Sequence, residues 1–303
     1  MRVCAIDVGT NTVMSVVADV SGGALTILAD EERFARLGQG VDATGRLAPD
    51  AMDRVLARLA EALETASELG ADRVVIGATS ASRDASNVGE LQDRVRRELG
   101  VDYGILLGVQ EAEASFRGAL ALLPGLDAAL VVDIGGGSTE VARGARAGGI
   151  AARQSVDLGS VRLTERCFPA RPPAERAIRE AQDLSARLYG EIAVERRDVP
   201  LVATGSVGVL VGRLAGAVPS GAAGAPGAVP RAAVADWRDR LLALTPDQAL
   251  AAHPELAGRQ DVAAAALLLL HQALERFGAE SYVPSVGGLR HGLALAQAER
   301  AGP

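Results

Sequence analysis

The sequence contains no lysine: all 31 of its basic residues are arginine. Any cationic contact must therefore come from a planar guanidinium, which suits bidentate recognition of phosphate or carboxylate. Aromatic residues make up only 3%, so the cores have to be assembled from Ala, Val and Leu. Cysteine occurs twice, as Cys4 and Cys167, without a CxxC pair. That excludes a disulfide framework and fits a reducing, cytoplasmic compartment. The three histidines, His253, His271 and His291, lack the spacing of a metal-ligand pair. The longest apolar run, Val262 to Leu270, falls far short of the ~20 residues that span a bilayer. At the N-terminus Asp7 interrupts what a signal peptide would need as its apolar region. No membrane partner is expected. A net charge of −7 argues against a nucleic-acid partner, and a polyanionic ligand would need a locally basic patch.

With 303 residues, 49% of them hydrophobic, the chain has length and apolar material for two domains. An internal similarity gives that division content. Ala5-Ile-Asp-Val-Gly-Thr-Asn-Thr-Val13 and Val131-Val-Asp-Ile-Gly-Gly-Gly-Ser-Thr-Glu-Val141 share apolar, apolar, Asp, apolar, Gly, small, Asn/Gly, Ser/Thr. Asp7 and Asp133 are 126 residues apart. Each copy lies between two β-rich runs, so the element is strand, glycine turn, strand, unlike a Walker or Rossmann loop, which opens a helix.

Between and beyond the copies, helical and extended patterns alternate. The spacing predicts helices over Asp50–Leu69, Asn87–Leu99, Glu111–Leu122, Pro172–Gly190, Ser206–Ala215, Ala232–Leu242, Arg259–Phe277 and Leu289–Arg300. The helix at Arg259–Phe277 is apolar on most sides and is expected to be buried. Strands are expected at Val74–Thr79, Gly104–Leu107, near Ser155, at Pro200–Ala203 and at Ser281–Pro284. Ala215 to Pro230, rich in Ala, Gly and Pro, reads as a flexible loop. The chain is therefore α/β with two similar halves, 1–123 and 124–303.

A glycine turn can aim successive backbone N–H groups at phosphate oxygens. A carboxylate at its entry would repel a phosphate unless a divalent cation lies between, and Mg²⁺ prefers one or two carboxylates plus substrate phosphates. One such turn is ordinarily just a tight hairpin. Two turns with Asp in the same slot point to a phosphate chain and its metal.

The paired turns resemble the phosphate loops of the actin-like ATPase and sugar kinase superfamily. More narrowly, the chain is similar to the exopolyphosphatase/guanosine pentaphosphate phosphatase family through four further segments. These are Ala78-Thr-Ser-Ala-Ser-Arg-Asp-Ala-Ser-Asn87, Gly108-Val-Gln-Glu-Ala112 with Phe116 and Gly118, Leu158-Gly-Ser-Val-Arg-Leu-Thr-Glu165, and Gly288-Leu-Arg-His-Gly292. The likeness runs from Arg2 to Leu295.

That resemblance implies two ribonuclease-H-like domains with the active site in an interdomain cleft. It implies that Asp7 and Asp133 position Mg²⁺, with Glu111 both a third ligand of the metal and the base toward the attacking water. Gly9, Thr10, Asn11, Gly135, Gly136, Gly137 and Ser138 would cradle phosphates. Arg83 would neutralise a phosphate, and Arg162 is a candidate phosphate contact. Asp84 reads as structural and Glu113 as surface. The expected reaction is hydrolysis of the terminal phosphate of inorganic polyphosphate. Guanosine pentaphosphate is the rival substrate, a non-catalytic polyphosphate or alarmone sensor is the rival from another class, and a homodimer is left open. Departures fall in the second half: Gly208 and Val209 replace family hydroxyls, and Val286-Gly287 stand where Asp-Arg is common.

Overall fold

The computed structural model describes residues 1–217 and 227–301. Packing divides the chain into two compact units, Met1–Ala121 with Gly287–Pro303, and Leu122–Val286.

The first unit runs β1 (Arg2–Val8), β2 (Thr12–Ser21), β3 (Ala24–Phe34), α1 (Val41–Thr44), α2 (Pro49–Glu68), β4 (Arg73–Ala78), α3 (Ser80–Asp84), α4 (Val88–Leu99), β5 (Gly104–Ile105) and α5 (Gly108–Ala121). Its sheet has the order β3-β2-β1-β4-β5, with β1 antiparallel to β2 and parallel to β4. Strand β1 is central because both of its faces are apolar. Cys4, Ile6 and Val8 enter a core with Val55, Leu59 and Leu91, whereas Val3 and Ala5 point to the opposite face. Helix α2 ends where Gly70 adopts φ +67, and Ala71 N–H returns to Ala66 O at 2.8 Å.

The second unit runs β6 (Ala128–Ile134), β7 (Thr139–Ala145), β8 (Gly149–Val156), α6 (Ser160–Cys167), α7 (Glu175–Gly190), β9 (Leu201–Thr204), α8 (Gly205–Leu214), β10 (Val229–Pro230), α9 (Arg231–Leu242), α10 (Pro246–Ala252), α11 (Ala263–Arg276) and β11 (Ser281–Pro284). Its sheet order is β10-β11-β9-β6-β7-β8. Strand for strand, β8-β7-β6-β9-β11 reproduces β3-β2-β1-β4-β5, with the same parallel and antiparallel partners. The two units thus repeat one topology, with β10 as an addition. Helix α11 is buried along most of its length, from Ala263 through Leu270 and again at Ala273 and Leu274, as its all-round apolarity predicts.

Three differences from the sequence expectation have physical causes. The helix expected from Pro172 starts at Glu175: Pro173 disfavours helical backbone at Pro172, and Ala174 is extended, with φ −67 and ψ 152. The helix expected from Arg259 starts at Ala263, because residues 259–262 are spent in a turn closed by Val262 N–H to Arg259 O at 3.0 Å. Finally, the last helix, α12 (Leu289–Ala301), packs with the first unit rather than with 124–303. Ala294 and Leu295 cover Val3, Ala5, Val16 and Ala18 of the first sheet. Glycines permit close approach of α12 to α5: a Cβ on Gly118 would lie 2.0 Å from Gly288 O, and one on Gly292 1.9 Å from Ala114 O. Of the segment 215–230 expected as a flexible loop, residues 218–226 lie outside the described residues.

Candidate functional site

Both glycine turns are four-residue connections within antiparallel hairpins. Val8 pairs with Val13 around Gly9–Thr12, and Ile134 pairs with Thr139 around Gly135–Ser138. Each turn closes with the same bond: Gly9 N–H to Thr12 O at 2.8 Å, and Gly135 N–H to Ser138 O at 2.9 Å. Both glycines sit close to the turn's own backbone: a Cβ would come within 3.1 Å of Thr12 O and 3.2 Å of Ser138 O. Every equivalence between the hairpins keeps the offset of 126 found in the sequence. The N–H groups of Thr10, Asn11, Gly136 and Gly137 have no protein acceptor among the described residues. Each unit therefore presents a short run of backbone donors of the kind that binds phosphate oxygens.

Asp7 and Asp133 occupy the same slot, one residue before the last ladder pair. Asp7 is 6% exposed and lies opposite Met14 and beside Gly77. Asp133 lies opposite Glu140 and beside Thr204. Directly opposed residues share a face of the sheet, so the second hairpin carries two carboxylates side by side. Glu140 is buried and accepts a hydrogen bond from Ser155 Oγ at 2.7 Å. The sequence reading omitted Glu140; a four-residue turn already implies that Asp133 faces it. Gly205 is a second omission. It has φ +71, and a Cβ there would lie 2.4 Å from Asp133 Oδ1, so any side chain would displace the carboxylate.

Ser80 Oγ donates to Asp84 Oδ2 at 3.2 Å, and Glu113 pairs with Arg117 one helical turn on. Glu111 and Arg83 are brought together. Glu111 stands in the first turn of α5, where the helix dipole favours an anion, and is only 3% exposed. Arg83, from α3, forms an ion pair with Glu111 Oε1 and donates from the same Nη1 to Leu106 O at 3.0 Å. Nearby, Ser82 Oγ and the buried Tyr103 hydroxyl share a 2.7 Å hydrogen bond.

Arg162 behaves differently from a free phosphate contact: its Nε donates to Gly137 O, in the second turn itself, at 2.8 Å. Glycine at position 208, one of the departures noted in the sequence, has a packing reason. A Cβ there would meet Ala203 O at 2.4 Å, and Tyr282 Oη donates to Gly208 O at 2.8 Å.

Donor chemistry decides whether a Mg²⁺ fits. Among the described residues no group of three or more His, Cys, Asp or Glu side chains could hold a metal ion. Mg²⁺ does not need such a cage, because it commonly takes one or two carboxylates and fills its octahedron with water and phosphate. The opposed pair Asp133 and Glu140 suits that pattern: two like charges on one face are costly alone and favourable around a cation. Asp7 supplies a carboxylate in the equivalent slot of the first unit. Glu111 is engaged by Arg83 and fits a proton acceptor better than a ligand.

Residues 16–301 match the model of the Ppx/GppA phosphatase family. The chain is 35% identical over 320 residues to a Mycobacterium tuberculosis protein described as exopolyphosphatase 2, with 98% of each chain covered. Among solved structures, it resembles an exopolyphosphatase-like protein with a TM-score of 0.90 at 28% identity, covering 99% of this chain and 98% of that one. It also resembles the Aquifex aeolicus Ppx/GppA family member, with a TM-score of 0.81 at 25% identity over 100% and 99% of the two chains.

Proposed function

The chain belongs to the Ppx/GppA phosphatase family, enzymes that hydrolyse phosphoanhydride bonds, and from that membership we propose that it is an exopolyphosphatase: with Mg²⁺, it releases the terminal phosphate of inorganic polyphosphate. The observation that carries this reading is the repeated hairpin, a carboxylate and a run of backbone donors at a constant offset in both units.

Phosphoryl transfer asks little covalent work of a protein; it needs positioning, charge neutralisation and an oriented nucleophile. The N–H groups of Thr10 and Asn11 in the first unit, and those of Gly136 and Gly137 in the second, each bind phosphate oxygens. Arg83 neutralises a non-bridging oxygen. In the second unit Asp133 and Glu140 would hold a Mg²⁺, which would supply further neutralisation of charge on phosphate oxygens; Asp7 is the equivalent carboxylate of the first unit. Glu111 accepts the proton of the attacking water, which forms the new P–O bond as the bridging P–O bond breaks. The departing phosphate oxygen is weakly basic at neutral pH and leaves as an anion, so no general acid is required. One buried carboxylate is then enough, and a base of this kind contributes roughly 10²–10⁴-fold.

Two free, buried cysteines suit a cytoplasmic enzyme, and no helix among the described residues is long and apolar enough to cross a membrane. The test is phosphate release with Mg²⁺ from polyphosphate of defined lengths and from guanosine pentaphosphate, for wild type and Glu111→Gln. Release from polyphosphate, lost in the variant, is expected. Release from guanosine pentaphosphate alone would reassign the substrate, and tight binding of either without release would make the protein a sensor.

A further inference from the structure

The three glycines of the second turn offer their carbonyls to one short segment. Gly135 O accepts Ser160 N–H at 2.9 Å and Ser160 Oγ at 3.3 Å. Gly136 O accepts Val161 N–H at 2.8 Å and Arg162 N–H at 3.1 Å. Gly137 O accepts Arg162 Nε at 2.8 Å. All of these donors come from the start of α6, which follows the third strand of the sheet. Gly159 precedes it in contact with the turn: a Cβ there would lie 2.4 Å from Gly136 C, Gly136 O and Gly137 N.

A peptide plane whose carbonyl is fixed in one direction has its N–H fixed in the opposite one. Three consecutive carbonyls drawn toward α6 therefore turn the N–H edges of the intervening peptides away from α6. Left alone, a run of three glycines would sample many conformations, and ordering it on substrate binding would cost entropy. Held in advance, it binds phosphate without that cost.

The first unit repeats the device. Thr10 O accepts Gly38 N–H at 2.8 Å, and Asn11 O accepts the N–H groups of Ala35 and Arg36 at 3.1 and 2.9 Å. Thr10 and Asn11 are the equivalents, at the offset of 126, of Gly136 and Gly137. Here too the donors follow the third strand of the sheet, and a Cβ on Gly38 would meet Thr10 Cγ2 at 2.2 Å.

We propose that the segment leaving the third strand of each sheet is a clasp that pre-sets its phosphate turn, and that Gly159 and Arg162 are positioning residues for phosphate binding in the second unit. Arg162 acts through the Gly137 carbonyl, and Gly159 acts by leaving room for the Gly136–Gly137 peptide. The proposal rests on the phosphate-binding role given to the turn above.

Arg162→Ala, Arg162→Lys and Gly159→Ala separate the clasp from a direct contact. Amide hydrogen exchange at positions 135, 160, 161 and 162, whose N–H groups close the turn or tie α6 to it, is measured on ligand-free protein, and KM and kcat are measured with polyphosphate. The clasp predicts faster exchange at these amides in Arg162→Ala with no ligand present. It also predicts a KM raised about tenfold, the value of one charged hydrogen bond, with kcat changed less than KM. A lysine can still donate to the Gly137 carbonyl, so Arg162→Lys should recover part of both effects. Gly159→Ala should speed exchange at the same amides. Wild-type exchange in both Arg162→Ala and Gly159→Ala would overturn the proposal, and unchanged exchange with a raised KM would make Arg162 a substrate contact instead. If the wild type releases no phosphate from polyphosphate, the substrate reading fails while the exchange result still decides the clasp.

Discussion

Arg83 and Glu111, 28 residues apart, form an ion pair in which the carboxylate is buried and the guanidinium is 23% exposed. The two residues expected to serve substrate and water separately are joined in the free protein. Replacing the charge of Glu111 while keeping its shape tests its role. Glu111→Gln retains an oxygen that accepts from Arg83 but cannot take a proton from water. Phosphate release should fall by roughly 10²–10⁴-fold, with a melting temperature close to wild type. A rate within a few-fold of wild type would remove Glu111 from the chemistry.

Arg83→Ala is expected to act on both stability and binding. It leaves Glu111 buried without its cation, at a cost of roughly 1–3 kcal/mol, and removes a neutralising charge from the substrate. In the double variant Arg83→Ala/Glu111→Ala no carboxylate is stranded, so its loss of stability should be smaller than the sum of the single losses by a measurable coupling. Denaturant unfolding of the four proteins in the cycle checks this. Additive losses would show that the ion pair has no energetic content.

At Gly205 the expected effect is on metal use. Alanine there must strain a backbone at φ +71 and push on Asp133 Oδ1, which lies 2.4 Å from where the Cβ would be. Gly205→Ala should require a higher Mg²⁺ concentration for half-maximal activity, in the same direction as Asp133→Asn. Titration of activity against Mg²⁺ reads this directly. An unchanged Mg²⁺ requirement would dissociate Asp133 from the metal.

The parts of the site carried by short segments were legible in the sequence. The two Asp-Gly turns could be read because strand, turn and strand lie within a dozen residues, and the repeat marked both at once. Glu111 and Arg83 could each be named from their motifs. Their pairing could not, because it depends on how α3 and α5 meet. Gly159 and Arg162 stand in a recognisable segment, but their contact with a turn more than twenty residues away exists only once β7 and β8 have folded back. The placement of α12 was hidden for the same reason. Its helical period was plain, but the glycines that seat it on α5, Gly118 and Gly292, are far apart in the chain.

The seat of α12 on β3 should also make the first unit sensitive to acid. Arg290 donates to both oxygens of Asp30, from Nε at 2.6 Å and Nη2 at 2.9 Å, and His291 Nε2 lies 3.4 Å from Asp30 Oδ2. Burial alone would push the Asp30 pKa up; His291 and Arg290 outweigh it and hold the group at about 2, against an ordinary value of 3.8. A carboxyl depressed in the folded state stabilises the fold above its unfolded pKa, and that contribution disappears as pH falls from about 4 to about 2. His291 works in the same direction at higher pH. It is fully buried, and burial lowers its pKa below the ordinary 6.5. Its Nδ1 accepts Gly288 N–H at 3.2 Å, which places the proton of the neutral ring on Nε2, toward Asp30. Below about 6.5 the unfolded chain takes up a proton that the folded ring resists, so stability declines with pH there as well. Wild type should therefore lose stability in two stages on acidification. His291→Asn, whose side-chain oxygen can still accept from Gly288, should remove the upper stage, and Asp30→Asn the lower. The measurement is melting temperature against pH from 7 to 2. A stability gap between wild type and Asp30→Asn that does not narrow between pH 4 and 2 would show that Asp30 does not hold α12 through its charge.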